Sequence, residues 1–414
     1  MRRYRTYEPD PIWEFDMVSR IKFGVEAIEE LPSALRERNV STVLIITDEG
    51  IEAAGIINDV KDILEGFEYH LHIGAESEPT LADFRNAISA IEDTDPELIV
   101  GIGGGSSMDI AKAASTVHGH DGEPMEYASP PVGGGKSFQG PGIPAICVPT
   151  TSGTGSETSP VAVASLPDEN VKVGISSRYQ IPEMAIIDPL LTVSLPSGPT
   201  AASGMDALGH AIEAYTTVTS DVKPRPESPD RRPSYNGRSI LTDQHARTAI
   251  ELIGNNLRPA VDQGTDLEAR ENMALASSMA GMAFTNAGVT INHAMAMAVG
   301  SEYDVSHGQA VAVFLPETMR YNVSSGFERF IDIANLLGEN TDEDSRDEAG
   351  RKAAEAVEKL STHIGISGGI GRFGVTEEDV PELAEKTMSL KRLHVGNPRR
   401  IDKDDLEGIF REAL

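Results

Sequence analysis

Four residues of the chain have the side chains and the spacing of a metal site. Asp206 and His210 are four residues apart in an apolar helical pattern, so their side chains lie on one face of that helix. His293 and His307 follow later in the chain. One carboxylate and three imidazoles form a nitrogen and oxygen donor set that suits Fe(II) or Zn(II) and poorly suits Cu(I). A single histidine on an apolar helix is more often a core residue, so spacing alone leaves both interpretations open.

Two loops rich in glycine and hydroxyl groups could bind phosphate. Gly101–Ser106 joins a buried strand pattern to a helical pattern, and Pro149–Glu157 follows another strand pattern. Backbone N–H groups at a helix N-terminus bind anions such as pyrophosphate. Two such loops favour a dinucleotide-binding site over the alternative, in which each loop is only a tight turn between a strand and a helix. Asp48 ends a further strand pattern, where it could accept a hydrogen bond from a ribose 2′-hydroxyl and favour NAD over NADP; an aspartate that only forms a turn is the alternative.

The order of strand and helix patterns indicates two domains. The first half alternates apolar strand runs with helical patterns, which is typical of a parallel sheet covered on both faces. Beyond Asp188 the chain becomes rich in Ala and Met at helical spacing. We expect an α/β dinucleotide-binding domain over residues 1–195 and an all-α metal-binding domain over residues 196–414. The strand runs are Thr42–Thr47, Leu98–Gly101, Ala145–Val148 and Met184–Ile187, and the helical patterns include Leu81–Glu92, Met108–Val117, Gly204–Tyr215, Leu241–Leu257, Leu267–Phe284, Val289–Val299, Ala349–His363, Val380–Ser389 and Asp404–Leu414.

The composition limits the partners and the environment of the protein. The 65 acidic and 35 basic residues give a net charge of −30, which disfavours nucleic acid and anionic membranes. Only 11 of those 35 basic residues are Lys, and such a dispersed acidic surface predicts a halophilic protein, an ordinary acidic surface being the alternative. The single cysteine, Cys147, excludes a disulfide framework within the chain and favours a reducing, cytoplasmic location. No apolar run reaches the length of a membrane-spanning helix.

A proline- and arginine-rich segment, Lys223–Ser239, interrupts the helical half. Its four prolines exclude a regular helix, so we expect a loop. Its basic side chains could bind a carboxylated ligand through paired hydrogen bonds, or could balance nearby acidic groups at the surface. These basic residues are Lys223, Arg225, Arg231, Arg232 and Arg238.

Six motifs, in order, resemble the iron-containing (group III) alcohol dehydrogenases over the chain from about Phe23 to its C-terminus. Several long motifs in sequence are far more specific than one glycine loop. The motifs are GGGSSMD at Gly103–Asp109, PTTSGTGSE at Pro149–Glu157, DPLLT at Asp188–Thr192, GMDALGHAIEAY at Gly204–Tyr215, SHGQAVAVFLPETMRYN at Ser306–Asn322 and NPR at Asn397–Arg399.

The resemblance implies an NAD-dependent and divalent-metal-dependent enzyme of dehydroquinate synthase-like architecture. Hydride would pass between a small-molecule alcohol on Fe(II) or Zn(II) and the nicotinamide of NAD. The oligomeric state has only the general expectation of a dimer. The implied metal ligands, which are also the implied catalytic residues, are Asp206, His210, His293 and His307. The implied cofactor contacts are Asp48, Gly104, Gly105, Ser106, Asp109, Thr150, Thr151, Thr154 and Lys172.

Two departures leave the branch of the family open. Met297 stands where many members have a second histidine, and a thioether cannot exchange a proton. Three segments, Glu126–Pro131, Lys223–Ser239 and Asn286–Val289, resemble the hydroxyacid-oxoacid transhydrogenase branch, in which tightly bound NAD carries hydride from a hydroxyacid to an oxoacid. The NPR motif at Asn397–Arg399 instead resembles the ordinary dehydrogenases. That activity is the main alternative. A metal-dependent lyase of the same architecture and a nucleotide sensor that does not catalyse a reaction are further alternatives.

Overall fold

The computed structural model describes residues 12–76, 78–167, 171–223, 225–229, 232–303 and 305–414. Packing divides the chain into two compact units. The first unit holds Met17–Thr200 and Pro259–Ser278, and the second holds the described residues up to Asp16 with Ala201–Arg258 and Met279–Leu414. The expected boundary at residue 195 follows chain order, whereas Pro259–Ser278 packs with the first unit and the described residues up to Asp16 pack with the second.

The first unit is built on a parallel sheet. Among the described residues, six strands lie in the order β1-β8-β5-β4-β2-β3, and each neighbouring pair is parallel. Strands β6 and β7 form a separate antiparallel pair. The strands are β1 (Arg20–Phe23), β2 (Thr42–Thr47), β3 (Glu68–Ile73), β4 (Leu98–Gly103), β5 (Ala145–Pro149), β6 (Val161–Leu166), β7 (Val171–Ser176) and β8 (Met184–Ile187).

Among the described residues, all nine helical patterns named above are present as helices, and the structure adds seven α-helices that those patterns did not include. In the described parts of the first unit, the helices before residue 197 are α1 (Leu31–Glu37), α2 (Glu49–Ala53), α3 (Ile56–Ile63), α4 (Leu81–Thr94), α5 (Gly105–His118) and α6 (Pro124–Tyr127). The later helices are α7 (Ser197–Thr216), α8 (Ile240–Asp262), α9 (Leu267–Ala287), α10 (Ile291–Gly300), α11 (His307–Asn322), α12 (Phe327–Leu336), α13 (Arg346–His363), α14 (Val380–Ser389), α15 (Lys391–His394) and α16 (Lys403–Glu412).

The sheet separates two apolar cores. Because successive strand residues point to opposite faces, Ile45 of β2 lies in one core with Ile57 of α3. Its neighbour Ile46 lies in the other core with Phe84 of α4. Both faces are therefore covered, as the continuous apolar strand runs predict. The second unit has a helical core in which Phe314 of α11 packs edge to face on Phe410 of α16, with ring centroids 5.3 Å apart.

The expected fold class, an α/β domain with a parallel sheet followed by a helical domain, is confirmed. The four predicted strands are present, and β4 and β5 extend slightly beyond the predicted runs. The edge strands β1 and β3 and the antiparallel pair β6–β7 were not predicted, because their residues are only partly buried and their apolar runs are short or interrupted. Among the described residues, no helix has the length and apolar character needed to span a membrane.

Candidate metal and nucleotide sites

Packing within the second unit brings the four predicted metal ligands together. Asp206 and His210 lie one turn apart on α7, and Nδ1 of His210 lies 3.8 Å from Oδ2 of Asp206. His293, on α10, places Nε2 3.6 Å from Oδ1 of Asp206. His307 begins α11 and places its own Nε2 3.5 Å from the same oxygen. One donor atom from each of Asp206, His210 and His293 lies within 4.8 Å of the others, which is the arrangement of a mononuclear metal site.

The donor atoms of this site fit a divalent cation. Oδ1 of Asp206 and Nε2 of His293 are buried and have no hydrogen-bond partner among the described residues. Leaving buried polar atoms without partners is unfavourable, by roughly 1–3 kcal/mol for each group. A cation between them would satisfy both atoms, and carboxylate oxygen and imidazole nitrogen are the donors that Fe(II) and Zn(II) take.

The charges of the site also favour a cation. Burial alone would raise the pKa of Asp206, but the three neighbouring imidazoles hold it well below its ordinary value. Burial alone would lower the pKa of His293, but the nearby carboxylates of Glu213 and Asp206 raise it to about 9. The pKa of Asp206 is lowered and the pKa of His293 is raised for the same reason. Carboxylate and imidazolium groups attract each other, so each stabilises the charged form of the other.

Two glycines allow the helices that carry the ligands to approach. A Cβ atom on Gly209, next to His210, would lie 2.6 Å from Cγ1 of Val311. A Cβ atom on Gly308, next to His307, would lie 2.2 Å from the backbone oxygen of Ala202. Both distances are too short for a side chain, so α7 and α11 can pack at this distance only with glycine at these positions. Our sequence analysis assigned neither glycine a role, although each directly precedes or follows a candidate ligand.

Glu213 is a buried residue of the site that our sequence analysis missed. It accepts hydrogen bonds from Nδ1 of His293 and from the backbone N–H of Thr290. Its spacing could have identified it, because Asp206, His210 and Glu213 follow the i, i+4, i+7 pattern of one helix face.

In the first unit, the phosphate-binding candidates lie where the strand order of the sheet reverses. After β2 the chain adds β3 on one side and then returns to add β4 on the other side, so the carboxyl ends of β2 and β4 flank a topological switch point. Ligands of open parallel sheets bind in the crevice at such a point. Asp48 directly follows β2, and Gly104 and Gly105 directly follow β4.

The two loops lie side by side because β4 and β5 are paired. Gly103 pairs with Pro149, and the N–H of Thr150 donates to the oxygen of Gly103 at 2.9 Å. A Cβ atom on Gly104 would have Thr151 as its nearest neighbour at 3.7 Å, whereas one on Gly105 would lie 2.8 Å from Thr154. The backbone of Gly104 is therefore not covered by a neighbouring side chain, and it lies beside the start of α5, where the peptide dipoles favour an anion.

Several predicted cofactor contacts already have partners within the protein. Asp48 accepts a hydrogen bond from Ser107 at 2.9 Å and also caps α2. Asp109 accepts from Ser156 at 2.5 Å and pairs with the buried Lys112, so it holds the second loop in place. Ser106 is partly exposed at the start of α5. Lys172 forms an ion pair of 2.5 Å with Glu78.

The basic residues of Lys223–Ser239 do not form the open cationic cluster that could bind a carboxylate. The segment lacks a regular helix over its described residues, as expected, and Pro224, Asp230 and Arg231 lie outside the described residues. Arg232 pairs with Glu14 at 2.9 Å, and Arg238 lies 3.6 Å from Asp243. These two arginines therefore balance nearby acidic groups. Arg225 is exposed, whereas the Lys223 ammonium donates to the backbone oxygen of Tyr235 at 2.8 Å.

Comparisons with known proteins cover almost the whole chain. The family model "Iron-containing alcohol dehydrogenase" matches residues 19–189, and "Fe-containing alcohol dehydrogenase family, C-terminal" matches residues 235–414. Long-chain-alcohol dehydrogenase 1 of Geobacillus thermodenitrificans is 35% identical over 97% of this chain and 96% of its own. The mitochondrial hydroxyacid-oxoacid transhydrogenase of Bos taurus is 32% identical over 97% of this chain and 90% of its own. A crystal structure of 1,3-propanediol oxidoreductase has a TM-score of 0.88 at 34% identity, covering 97% of this chain and 100% of the other.

Proposed function

The chain belongs to the iron-containing alcohol dehydrogenase family, and we propose that Asp206, His210, His293 and His307 hold its metal ion while the loop after β4 binds the pyrophosphate of its NAD. The protein is an oxidoreductase that uses NAD and a divalent metal and acts on a small-molecule alcohol. The observation that carries the assignment of the metal site is the pair of buried, unpartnered donor atoms on Asp206 and His293.

The residues of each site have distinct tasks in the reaction. A metal ion held by these residues would polarise the oxygen of the alcohol or carbonyl group, and NAD bound at the loop would accept or return the hydride. Asp206 supplies the one carboxylate of the donor set. A divalent ion in the site would therefore keep one net positive charge, which is available for that polarisation. The glycine loop and the start of α5 fix the pyrophosphate, which limits the positions of the nicotinamide. Asp48 offers a carboxylate oxygen to a ribose hydroxyl and would repel a 2′-phosphate.

Proton transfer must use a route other than Met297. That residue lies on α10 one turn after His293, and its thioether carries no exchangeable proton. His307 is the most exposed of the four candidate ligands, with one third of its side chain open to solvent. We therefore propose that solvent water or a ribose hydroxyl completes the proton route.

We expect the protein reconstituted with Fe(II) or Zn(II) to reduce NAD in the presence of a short alcohol or diol. Absorbance of NADH measures the reaction, and a panel of alcohols, diols and hydroxyacids defines the substrate class. Removal of the metal with a chelator is expected to abolish turnover, and adding the metal back to restore it, because the polarising charge is lost and regained. Turnover that continues at full rate in the metal-free protein would contradict the proposed site.

A second candidate activity is hydride exchange between a hydroxyacid and an oxoacid. It is favoured by the similarity to the Bos taurus transhydrogenase and by Lys223, whose ammonium has no carboxylate partner among the described residues. Burial lowers the pKa of Lys223 to about 8, as expected for a cation held away from water without a counter-ion. The same assay separates the two activities: the exchange consumes hydroxyacid only when an oxoacid is present and releases no free NADH.

We also propose that the protein works at high salt, in a reducing cytoplasm. The support is the net charge of −30 and the single, buried Cys147. Because dissolved ions screen repulsion between surface charges, we expect thermal unfolding in about 2 M KCl to occur roughly 10 °C above that in about 0.05 M KCl. Circular dichroism measures the transition, and sucrose, which does not screen charge, is the control. An unfolding temperature that is independent of KCl would contradict this proposal.

A further inference from the structure

Glu213 connects the helix of two candidate metal ligands to the helix of a third. It lies on α7, and only 3% of its surface is exposed. Burying a carboxylate away from water is unfavourable unless hydrogen bonds or charges compensate for it. The groups that compensate for its burial therefore show what the carboxylate does.

One oxygen of Glu213 holds the beginning of α10. Oε1 accepts from the N–H and the hydroxyl of Thr290, at 2.8 and 2.7 Å. It also accepts from the N–H of Asn292 at 3.1 Å. These N–H groups belong to the first turn of α10, where no carbonyl group within the helix can accept from them. Glu213 thus serves as the cap of α10, and the side chain of Thr290 makes no cap hydrogen bond of its own.

The other oxygen determines which nitrogen of His293 carries a proton. Oε2 lies within hydrogen-bond distance of Nδ1 of His293. A carboxyl group that accepts three hydrogen bonds through Oε1 and faces a ring nitrogen through Oε2 is compensated for its burial as a carboxylate, which can only accept. The proton of the pair must therefore lie on Nδ1. Nε2, which faces Asp206 at 3.6 Å, is therefore the nitrogen that gives up its proton when a metal ion binds.

We propose that Glu213 is a positioning residue that fixes the Nδ1–H form and the ring orientation of His293, so that Nε2 is free to bind the metal ion. This assignment rests on the metal site proposed above. Carboxylate partners of this kind raise the basicity of a metal-binding histidine and fix its orientation. In this assignment Glu213 is not a ligand of the metal ion, and it acts only through His293.

The variant Glu213→Gln separates this role from that of a simple helix cap. Its amide oxygen can still accept from the N–H groups of Thr290 and Asn292, so α10 keeps its cap. Its NH₂ group then faces Nδ1 of His293 and can only donate, which moves the imidazole proton to Nε2 and blocks the metal-binding position. The reverse amide orientation would place the NH₂ group against three donors and is excluded.

Metal affinity is the measurement that tests the assignment, because it does not depend on turnover. Titration of the metal-free protein with Zn²⁺ against a chromophoric chelator gives the dissociation constant. We expect Glu213→Gln to weaken Zn²⁺ binding by roughly 10- to 100-fold, the range seen for such partners of metal ligands. The metal-free variant is expected to remain folded, because the cap of α10 is kept, although it loses the charge–charge attraction between Glu213 and His293.

Thr290→Val is the matched control. It removes one hydrogen bond to Oε1 and leaves Oε2 and His293 unchanged, so Zn²⁺ affinity should change by less than about twofold. Wild-type affinity in Glu213→Gln would overturn the role of Glu213 and leave the metal site intact. Equal losses of affinity in both variants would show that Glu213 acts only as a cap. A wild-type protein that binds no Zn²⁺ would instead overturn the metal site itself and this assignment with it.

Discussion

Replacing His210 with alanine is expected to remove bound metal and turnover together. The His210 ring is buried and stacks between Phe284 and His293, with ring centroids 4.2 and 4.4 Å away. Without His210, the buried cluster of Asp206, His210 and His293 loses one of its three donor groups. We expect metal affinity to fall by more than about 100-fold and kcat by about 10³-fold or more, since the polarising charge contributes several kcal/mol.

Metal analysis of the purified variant and the NADH assay measure the two losses on the same sample. His363→Ala is the control, because His363 is an exposed histidine at the end of α13 and its loss removes the same side chain outside the cluster. The control should keep its metal content and its rate. A His210→Ala protein that is free of metal and still fully active would contradict the proposed metal site.

Replacing Gly104 with alanine is expected to weaken NADH binding while leaving the fold intact. Gly104 has φ −74° and ψ −170°, which an alanine adopts without strain, and a new methyl group would approach only Thr151, at 3.7 Å. The methyl group would, however, occupy the open surface that a pyrophosphate needs at the start of α5. We expect the dissociation constant of NADH to rise by about tenfold or more, which corresponds to the loss of about one good hydrogen bond.

Titration of NADH fluorescence measures this change, and thermal unfolding with metal analysis shows whether other properties move. Gly408→Ala is the control, since Gly408 lies in α16 and a methyl group there meets nothing within 4 Å. Gly105→Ala would be a poorer test, because its methyl group would meet Thr154 at 2.8 Å and could disturb the loops directly. Unchanged NADH affinity in Gly104→Ala would place the pyrophosphate elsewhere.

The ion pairs of the arginines in Lys223–Ser239 distinguish between the two interpretations of this basic segment. Five basic residues in 17 positions suggested either a carboxylate-binding loop or a neutralised surface. Arg232 and Arg238 have acidic neighbours in Glu14 and Asp243, which lie far from them in the sequence. Only the fold shows which acidic residues approach them.

Local patterns in the sequence determined the elements and the residues on each face of them. The one-turn spacing of Asp206 and His210, and the glycine loop directly after β4, both depend on a few consecutive residues. Backbone geometry fixes the helical period of 3.6 and the strand period of 2, so such patterns are readable without the fold. The motif order identified the family for the same reason.

The tertiary structure decided which of these elements meet. The approach of His293 and His307 to Asp206 depends on the packing of α7, α10 and α11, which no local pattern encodes. The same packing gave the buried Glu213 its partner on α10, although its own sequence position shows only that it shares a face with His210. The sequence thus determined the donor groups and their local geometry, whereas contacts between residues about 80 positions apart, such as Glu213 with His293, arise only when the helical core forms.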